Sequence, residues 1–312
     1  MLRALLLQVL SLVGTLVIVL SLVFVAMRAL PGDAAAILGG TEASAAQVDA
    51  TRRALGLDRP LWVQFGAWWG GVIQGDLGES IRERRPVVRV IAERVPVTLS
   101  LAGLAFVASV LVGVPLGLLA GRRPGGKADG AVLGFTTAGL ALPEFWFGFL
   151  LILLFAVGLG WFPVIGYPTE GGVGVRLWHL LLPALTLAIP RAAQLARLTR
   201  ARLLEELHAD YLRTARAKGV RTAGLTRHVA ANALPGLLPL LALELGGLLT
   251  GTIVVEQVFG LPGLGLTLLG AISARDYPVV QGAVVVAVLV YVTVNWLADV
   301  AHVAADPRLR TA

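Results

Sequence analysis

The sequence contains no cysteine. A disulfide framework, a cysteine-ligated zinc and a thiol nucleophile are therefore excluded. Charge is scarce: 14% of the 312 residues are Asp, Glu, Lys or Arg, where soluble domains carry about a quarter. Histidine is scarce as well. His179, His208, His228 and His302 are scattered, with no H-E-x-x-H pair and no carboxylate cluster, so no metal site is expected. No G-x-S-x-G turn exists, and nothing pairs a nucleophile with a base. The chain is instead 57% hydrophobic, with a mean hydropathy of +0.81. That composition indicates a membrane protein. The net charge of +7 invites a nucleic-acid reading. The basic residues lie between apolar runs, however, where they serve orientation, and no nucleic-acid partner is expected.

A helix crosses the hydrocarbon core with about 20 apolar residues. Six stretches qualify: 5–29, 97–120, 131–159, 177–198, 236–258 and 279–303. The first is too long for a signal peptide and has no small-residue cleavage site before Arg28, so it is read as an anchor. Orientation follows from Arg and Lys in the short loops. Residues 121–130 hold Arg122, Arg123 and Lys127 against Asp129. Residues 191–235 hold nine basic residues against three acids, while 160–176 and 259–278 hold one basic residue each. Arg3, Arg308 and Arg310 fall on the side of the basic loops. Both termini and the basic loops are therefore expected in the cytoplasm, in one multi-pass domain over 1–312.

The segment 31–96 is then external. Its eight basic and eight acidic residues balance. Pro60 followed by LWVQFGAWWGGVIQ predicts a helix with Pro in its first turn. Trp62, Trp68 and Trp69 suit the membrane–water interface. GDLGES (75–80) reads as a turn, and 87–95 as a short amphipathic stretch leading into the second span. GRRPGGKA (121–128) imitates a phosphate-binding loop, but Ala128 replaces the hydroxyl that would hold Mg²⁺, and the loop follows an apolar span rather than a core strand. The chain should not hydrolyse ATP.

Glu144, Glu244, Glu256 and Asp299 lie within or at the edges of apolar runs. Each is costly against lipid, so each should face a neighbour, a cavity or the interface. The functional alternative is a translocation pathway; the structural one is a helix–helix hydrogen bond or an interfacial position. Glu244, in the middle of LPLLALELGGLLTG, is the better pathway candidate. Gly246, Gly247 and Gly251 beside it permit close helix packing.

The long basic segment 191–235 is unusual between two spans. Residues 195–217 hold no Pro or Gly. Leu203, Leu207, Tyr211 and Ala215 recur at helical spacing, so one face can dock on protein. Gly219 ends that helix, and a second short helix fits about 221–232. Ala215, Ala217 and Gly219 let another surface approach, and Arg213, Arg216, Lys218 and Arg221 offer it charged donors. The pattern is a docking knob for a soluble partner.

At these residues the chain resembles a known family. DYLRTARAKG (210–219) is similar to the EAA loop of ABC-importer permeases of the dipeptide/oligopeptide/nickel branch. LPGD (30–33), LGLDRPLWVQF (55–65), GDLGES, ALPEFWFGFLLILLF (141–155), LLLPALTLAIP (180–190), VVEQVFGLPGLG (254–265), ARDYPVVQG (274–282) and DPRLR (306–310) follow in order. The resemblance covers nearly the whole chain and points to the first of the two permease types. Three departures stand out. Arg213-Thr214-Ala215 replaces Glu-Ala-Ala, Asn232 stands where the general motif ends in Pro, and Glu144 stands where a small polar residue is expected.

The resemblance implies an all-α polytopic protein, with six transmembrane helices in the type I ABC importer permease fold and a cytoplasmic coupling helix. It implies a non-catalytic permease for peptides or a similar small solute in the inner membrane. The implied partners are a homologous second permease forming a heterodimer, two cytoplasmic ATPases, an extracytoplasmic substrate-binding protein and membrane lipid. No cofactor is implied for this chain; ATP and Mg belong to the ATPases. Coupling to them falls to Asp210, Tyr211, Arg213, Thr214, Ala215, Arg216, Ala217, Lys218, Gly219 and Arg221. The alternative from another class is a stand-alone proton-coupled secondary transporter using the intramembrane acids. Such transporters show inverted repeats and broken helices, which the sequence does not display. A membrane-bound enzyme lacks a catalytic constellation.

Overall fold

The computed structural model describes residues 2–29, 35–36, 44–54, 56–168, 170–207, 209 and 235–305. The described residues form the α-helices α1 (Leu2–Ala29), α2 (Ala45–Ala54), α3 (Leu61–Ile73), α4 (Val87–Arg122), α5 (Lys127–Ala141), α6 (Glu144–Leu151), α7 (Val173–Leu207), α8 (Leu238–Phe259), α9 (Leu264–Ser273) and α10 (Tyr277–Ala305). Among the described residues there is no β-strand, only an isolated bridge between Glu79 and Pro86. Among the described residues, four helical stretches are long and apolar enough to cross a membrane: Val87–Arg122, Val173–Leu207, Leu240–Phe259 and Tyr277–Leu297. The bent pair Lys127–Ala141 and Glu144–Gly158 passes the same test only when its two halves are taken together. The remaining expected span falls on α1.

The chain divides into two compact units, Met1–Val97 with Gly263–Val292, and Thr98–Pro262 with Thr293–Ala312. In the first unit, Met27, Val87, Ile91, Ala271, Tyr277, Val279 and Val280 form a buried apolar core. The stretch 87–95 opens α4 directly, without a break. Helix α3 begins after Pro60, as expected, and buries none of its residues. It leans on α1 through aromatic rings: Phe24 meets Phe65 at 5.1 Å and Trp68 at 5.7 Å between centroids. Trp62 stays 76% exposed, as an interfacial ring should.

Asp276 organises the loop before α4. Its carboxylate accepts from Ser80 Oγ at 2.5 Å, Ile81 N–H at 3.1 Å and Arg82 N–H at 3.2 Å. It also accepts from Val279 N–H at 3.4 Å, so it caps the start of α10 as well. One buried carboxylate thus meets four donors from two segments, so its oxygens are satisfied away from water.

In the second unit α7 is the central element, packing against α5, α6 and α8. Glycines set its distance from α4. A Cβ built on Gly113 would stand 2.7 Å from the Ala192 carbonyl oxygen, one on Gly117 2.5 Å from that of Ala196, and one on Gly121 2.7 Å from Leu203 Cδ2. At Gly113 and Gly117 the α7 backbone leaves no room for a side chain, and at Gly121 the Leu203 side chain fills the space, so the two helices approach closely.

The third expected span does not run straight. Its halves meet at 105°. Pro143 causes the break, because it disfavours helical backbone in the residue before it. Leu142 is accordingly extended, at φ −95° and ψ 132°. Residues Ile152–Gly158 then continue α6 as a π-helix. Helix α8 ends at Gly260, whose φ of 60° is the left-handed form that glycine adopts without strain. A Cβ there would also meet Ile165 Cγ2 at 2.8 Å.

Candidate functional site

Two of the acids singled out in the sequence come together. Glu144 opens α6, and Glu244 is carried by the first part of α8. Between them stands Arg191 of α7, directly after Pro190. Arg191 Nη2 donates to Glu144 Oε1 at 3.3 Å and to the Gly247 carbonyl at 3.4 Å. Its Nη1 lies 3.6 Å from Glu244 Oε2, an ion pair beyond hydrogen-bond reach. Glu244 is 4% exposed, whereas Glu144 and Arg191 keep 26% and 22%. Buried Arg191 Nε and Glu244 Oε2 have no hydrogen-bond partner. One guanidinium is thus divided among two carboxylates and a carbonyl and satisfies none of them fully.

The local sequence makes this meeting possible. Proline lacks an N–H, so Pro183 and Pro190 each remove one helical hydrogen bond from α7. The glycines of α8 supply the room. A Cβ on Gly247 would stand 2.9 Å from Arg191 Nη1, and one on Gly251 3.1 Å from Glu144 Oε2. Gly247 and Gly251 therefore open space for the ion triad in addition to letting helices approach.

A second ion pair ties α7 to α5. Arg200 Nε and Nη2 reach the two oxygens of Asp129 at 2.5 and 2.8 Å, a bidentate fork. The Gly125 N–H adds a third donor at 2.9 Å. This also explains the phosphate-loop imitation at 121–128: Gly125, with φ 76°, spends its N–H on the chain's own Asp129.

Glu256 is fully buried in α8 and accepts from Thr98 Oγ1 at 2.6 Å. It sits in a helix–helix hydrogen bond, the structural alternative. The side chain of Asp299 lies outside the described residues, as do Asp210, Tyr211, Arg213, Thr214, Ala215, Arg216, Ala217, Lys218, Gly219 and Arg221. Sequence reasoning missed Arg191 as the partner of the two acids. The available signal was an arginine enclosed by an apolar stretch, in a chain with two unpaired glutamates in other spans.

Comparison with known proteins places these features in a family context. Residues 113–311 match the family described as binding-protein-dependent transport system inner membrane component, and residues 1–102 match its N-terminal counterpart. A protein of Brucella abortus (strain 2308) named as a peptide transport system permease is 42% identical over 300 residues, 96% of each chain. The glutathione transport system permease protein GsiC of Pectobacterium atrosepticum is 40% identical over 305 residues, 97% of each chain. Among solved structures, an inward-facing form of the MetNI methionine ABC transporter aligns with a TM-score of 0.56. That match covers 70% of this chain and 97% of the other at 20% identity, and the likeness is one of fold.

Proposed function

The chain belongs to the binding-protein-dependent transport system inner membrane components, and from that premise we propose that its Glu144, Arg191 and Glu244 line the pathway of a peptide importer. The chain is a multi-pass permease subunit of an ABC importer with the type I permease fold. The stand-alone proton-coupled transporter is set aside. The substrate class, the partners and the sites are the proposal. Peptides or a peptide-like solute such as glutathione are the cargo, a reading supported by the relatives' names.

The observation that carries the pathway is the ion triad. Three charged groups sit on apolar helices, and two of them keep an open side. Such groups face a bundle interior or a wet cavity rather than lipid. With both carboxylates ionised the triad has a net charge of −1. That negative charge then favours the cationic part of a passing solute, such as a peptide ammonium, which would meet the triad on its open side at Glu144 with Glu244 behind it. Delivery of solute falls to an external binding protein facing 31–96, and ATP hydrolysis to two cytoplasmic ATPases engaging 210–221. A homologous second permease completes the pathway.

Topology and coupling are tested together. A single cysteine at Gly125 should label only from the cytoplasm and one at Asp49 only from outside, a clean assay in a chain without native cysteine. Gly219→Val should abolish uptake while the chain still inserts. Labelling of the Gly125 site from outside would overturn the arrangement, and normal uptake with normal ATPase co-purification in Gly219→Val would overturn the coupling assignment.

A further inference from the structure

The first unit holds a cavity of about 230 Å³ whose lining includes Arg28, Trp68, Gly71, Asp76, Tyr277 and Gln281. Arg28 stands in the last turn of α1, held on several sides. Its Nε donates to Gln64 Oε1 at 3.0 Å. Its guanidinium carbon lies 3.7 Å from the Phe24 ring centroid and 5.5 Å from that of Tyr277. That leaves Nη1, which is buried and has no partner. Gln281, from the second turn of α10, is 2% exposed, and its Nε2 is also buried without a partner. Two residues that line one hollow thus each carry an unspent donor just beneath its wall, one of them cationic. Buried donors are nearly always paired, so the hollow suits a ligand that brings acceptor oxygens, best of all anionic ones.

The rim has the opposite chemistry. Asp76 is exposed, and its Oδ1 accepts from the Gly78 N–H at 2.8 Å. Helix α3, which supplies Trp68 and Gly71, buries nothing and leaves Leu61, Trp62 and Ile73 59%, 76% and 79% exposed. Arg28 closes the apolar run of α1, so the hollow lies at the depth where a spanning helix leaves the hydrocarbon. Donors inside, a carboxylate at the rim and bare apolar surface alongside match an amphiphile with a phosphate, a small cationic head and acyl chains.

We propose that this cavity binds the headgroup of a membrane phospholipid, its phosphate oxygens meeting Arg28 Nη1 and Gln281 Nε2. An ethanolamine ammonium would then reach Asp76, and the acyl chains would lie along α3. The site lies wholly within the first unit, whereas Glu144, Arg191 and Glu244 belong to the second.

Native mass spectrometry of the assembled transporter tests this, after exchange into nanodiscs of either phosphatidylethanolamine or a galactolipid of the same chains, which lacks phosphate. The wild type should carry phosphatidylethanolamine and no galactolipid through delipidation. Gln281→Glu keeps the side chain's shape and turns it against phosphate; it should lower retention about tenfold. Arg28→Ala should do at least as much, while Glu83→Gln, away from the cavity, should change nothing. If Arg28→Ala fails to assemble, the wild-type lipid comparison and Gln281→Glu still decide. Equal retention of the two lipids, or unchanged retention in Gln281→Glu, would overturn the proposal. So would displacement of the bound lipid by a dipeptide or by inorganic phosphate at concentrations that leave the bilayer intact.

Discussion

Two arginines of helix α7, nine residues apart, reach carboxylates on other helices, and their contacts are built to opposite standards. At Arg200 both carboxylate oxygens of Asp129 are met by a fork at 2.5 and 2.8 Å, and Gly125 adds a backbone donor. At Arg191 the contacts stretch from 3.3 to 3.6 Å, and a nitrogen and a carboxylate oxygen are left over. The first arrangement has little to gain from any rearrangement. The second gains from any new cation or donor, or from any shift of α6 or α8 that shortens a contact. A fully paired buried ion is a fixed joint; a shared one responds to what arrives beside it. A transporter needs its helices held together, and the proposed pathway assigns the contact with cargo to the shared ion.

The comparison can be broken at several points, and the largest effect belongs to the packing that brings the joint together. Gly117→Val would drive side-chain atoms into the Ala196 backbone and Thr199, one residue from Arg200. Essentially no assembled transporter should be recovered in detergent. Recovery at wild-type yield would show that α4 and α7 do not depend on this contact.

Breaking the fixed joint comes next. Asp129→Ala leaves Arg200 without its carboxylate and frees the Gly125 N–H. Assembled transporter should fall roughly tenfold, as expected when one member of a buried pair is removed. The charge-reversed pair, Asp129→Arg with Arg200→Asp, should recover part of the loss. Size-exclusion yield and thermal midpoint report both.

The triad should respond differently. Arg191→Lys keeps the charge but loses the fork that spans three acceptors. Uptake should drop by about tenfold, with assembly near normal. Glu144→Gln, on the more exposed member, should be milder, a few-fold in uptake and negligible in yield. If either variant costs more assembly than Asp129→Ala, the distinction between joint and cargo contact fails.

How far the sequence anticipates this is uneven, and the reasons are physical. Each of the six apolar stretches carries a helix, because crossing a membrane demands length and apolarity that any window can register. The start of α3 after Pro60 is equally local. The 105° bend at Pro143 is not recovered from span counting, since averaging over 131–159 hides a single proline. Glu144 and Glu244 are legible as members of a site because an ionised group in an apolar span needs a partner. Their partner is not, because Arg191 is counted with the basic residues that orient the chain. The four-residue spacing of Gly113, Gly117 and Gly121 is visible in the sequence, but which helix they meet is a tertiary fact. Asp276 falls in ARDYPVVQG, yet its service to Ser80, Ile81 and Arg82 spans nearly two hundred positions and leaves no local pattern.

The proposed reading of cationic cargo rests on the charge that Glu244 adds behind Glu144 and Arg191, and one measurement addresses it directly. The transporter with its binding protein is placed in proteoliposomes, and uptake of Ala-Lys, Ala-Gln and Ala-Glu is compared between wild type and Glu244→Gln. The variant keeps the shape of the side chain and removes its charge. If the triad reads charge, the Ala-Lys to Ala-Glu uptake ratio should fall about tenfold, the worth of one ionic contact, with ATP hydrolysis in the absence of peptide unchanged. An equal loss for all three peptides, in proportion to the yield of assembled transporter, would contradict it.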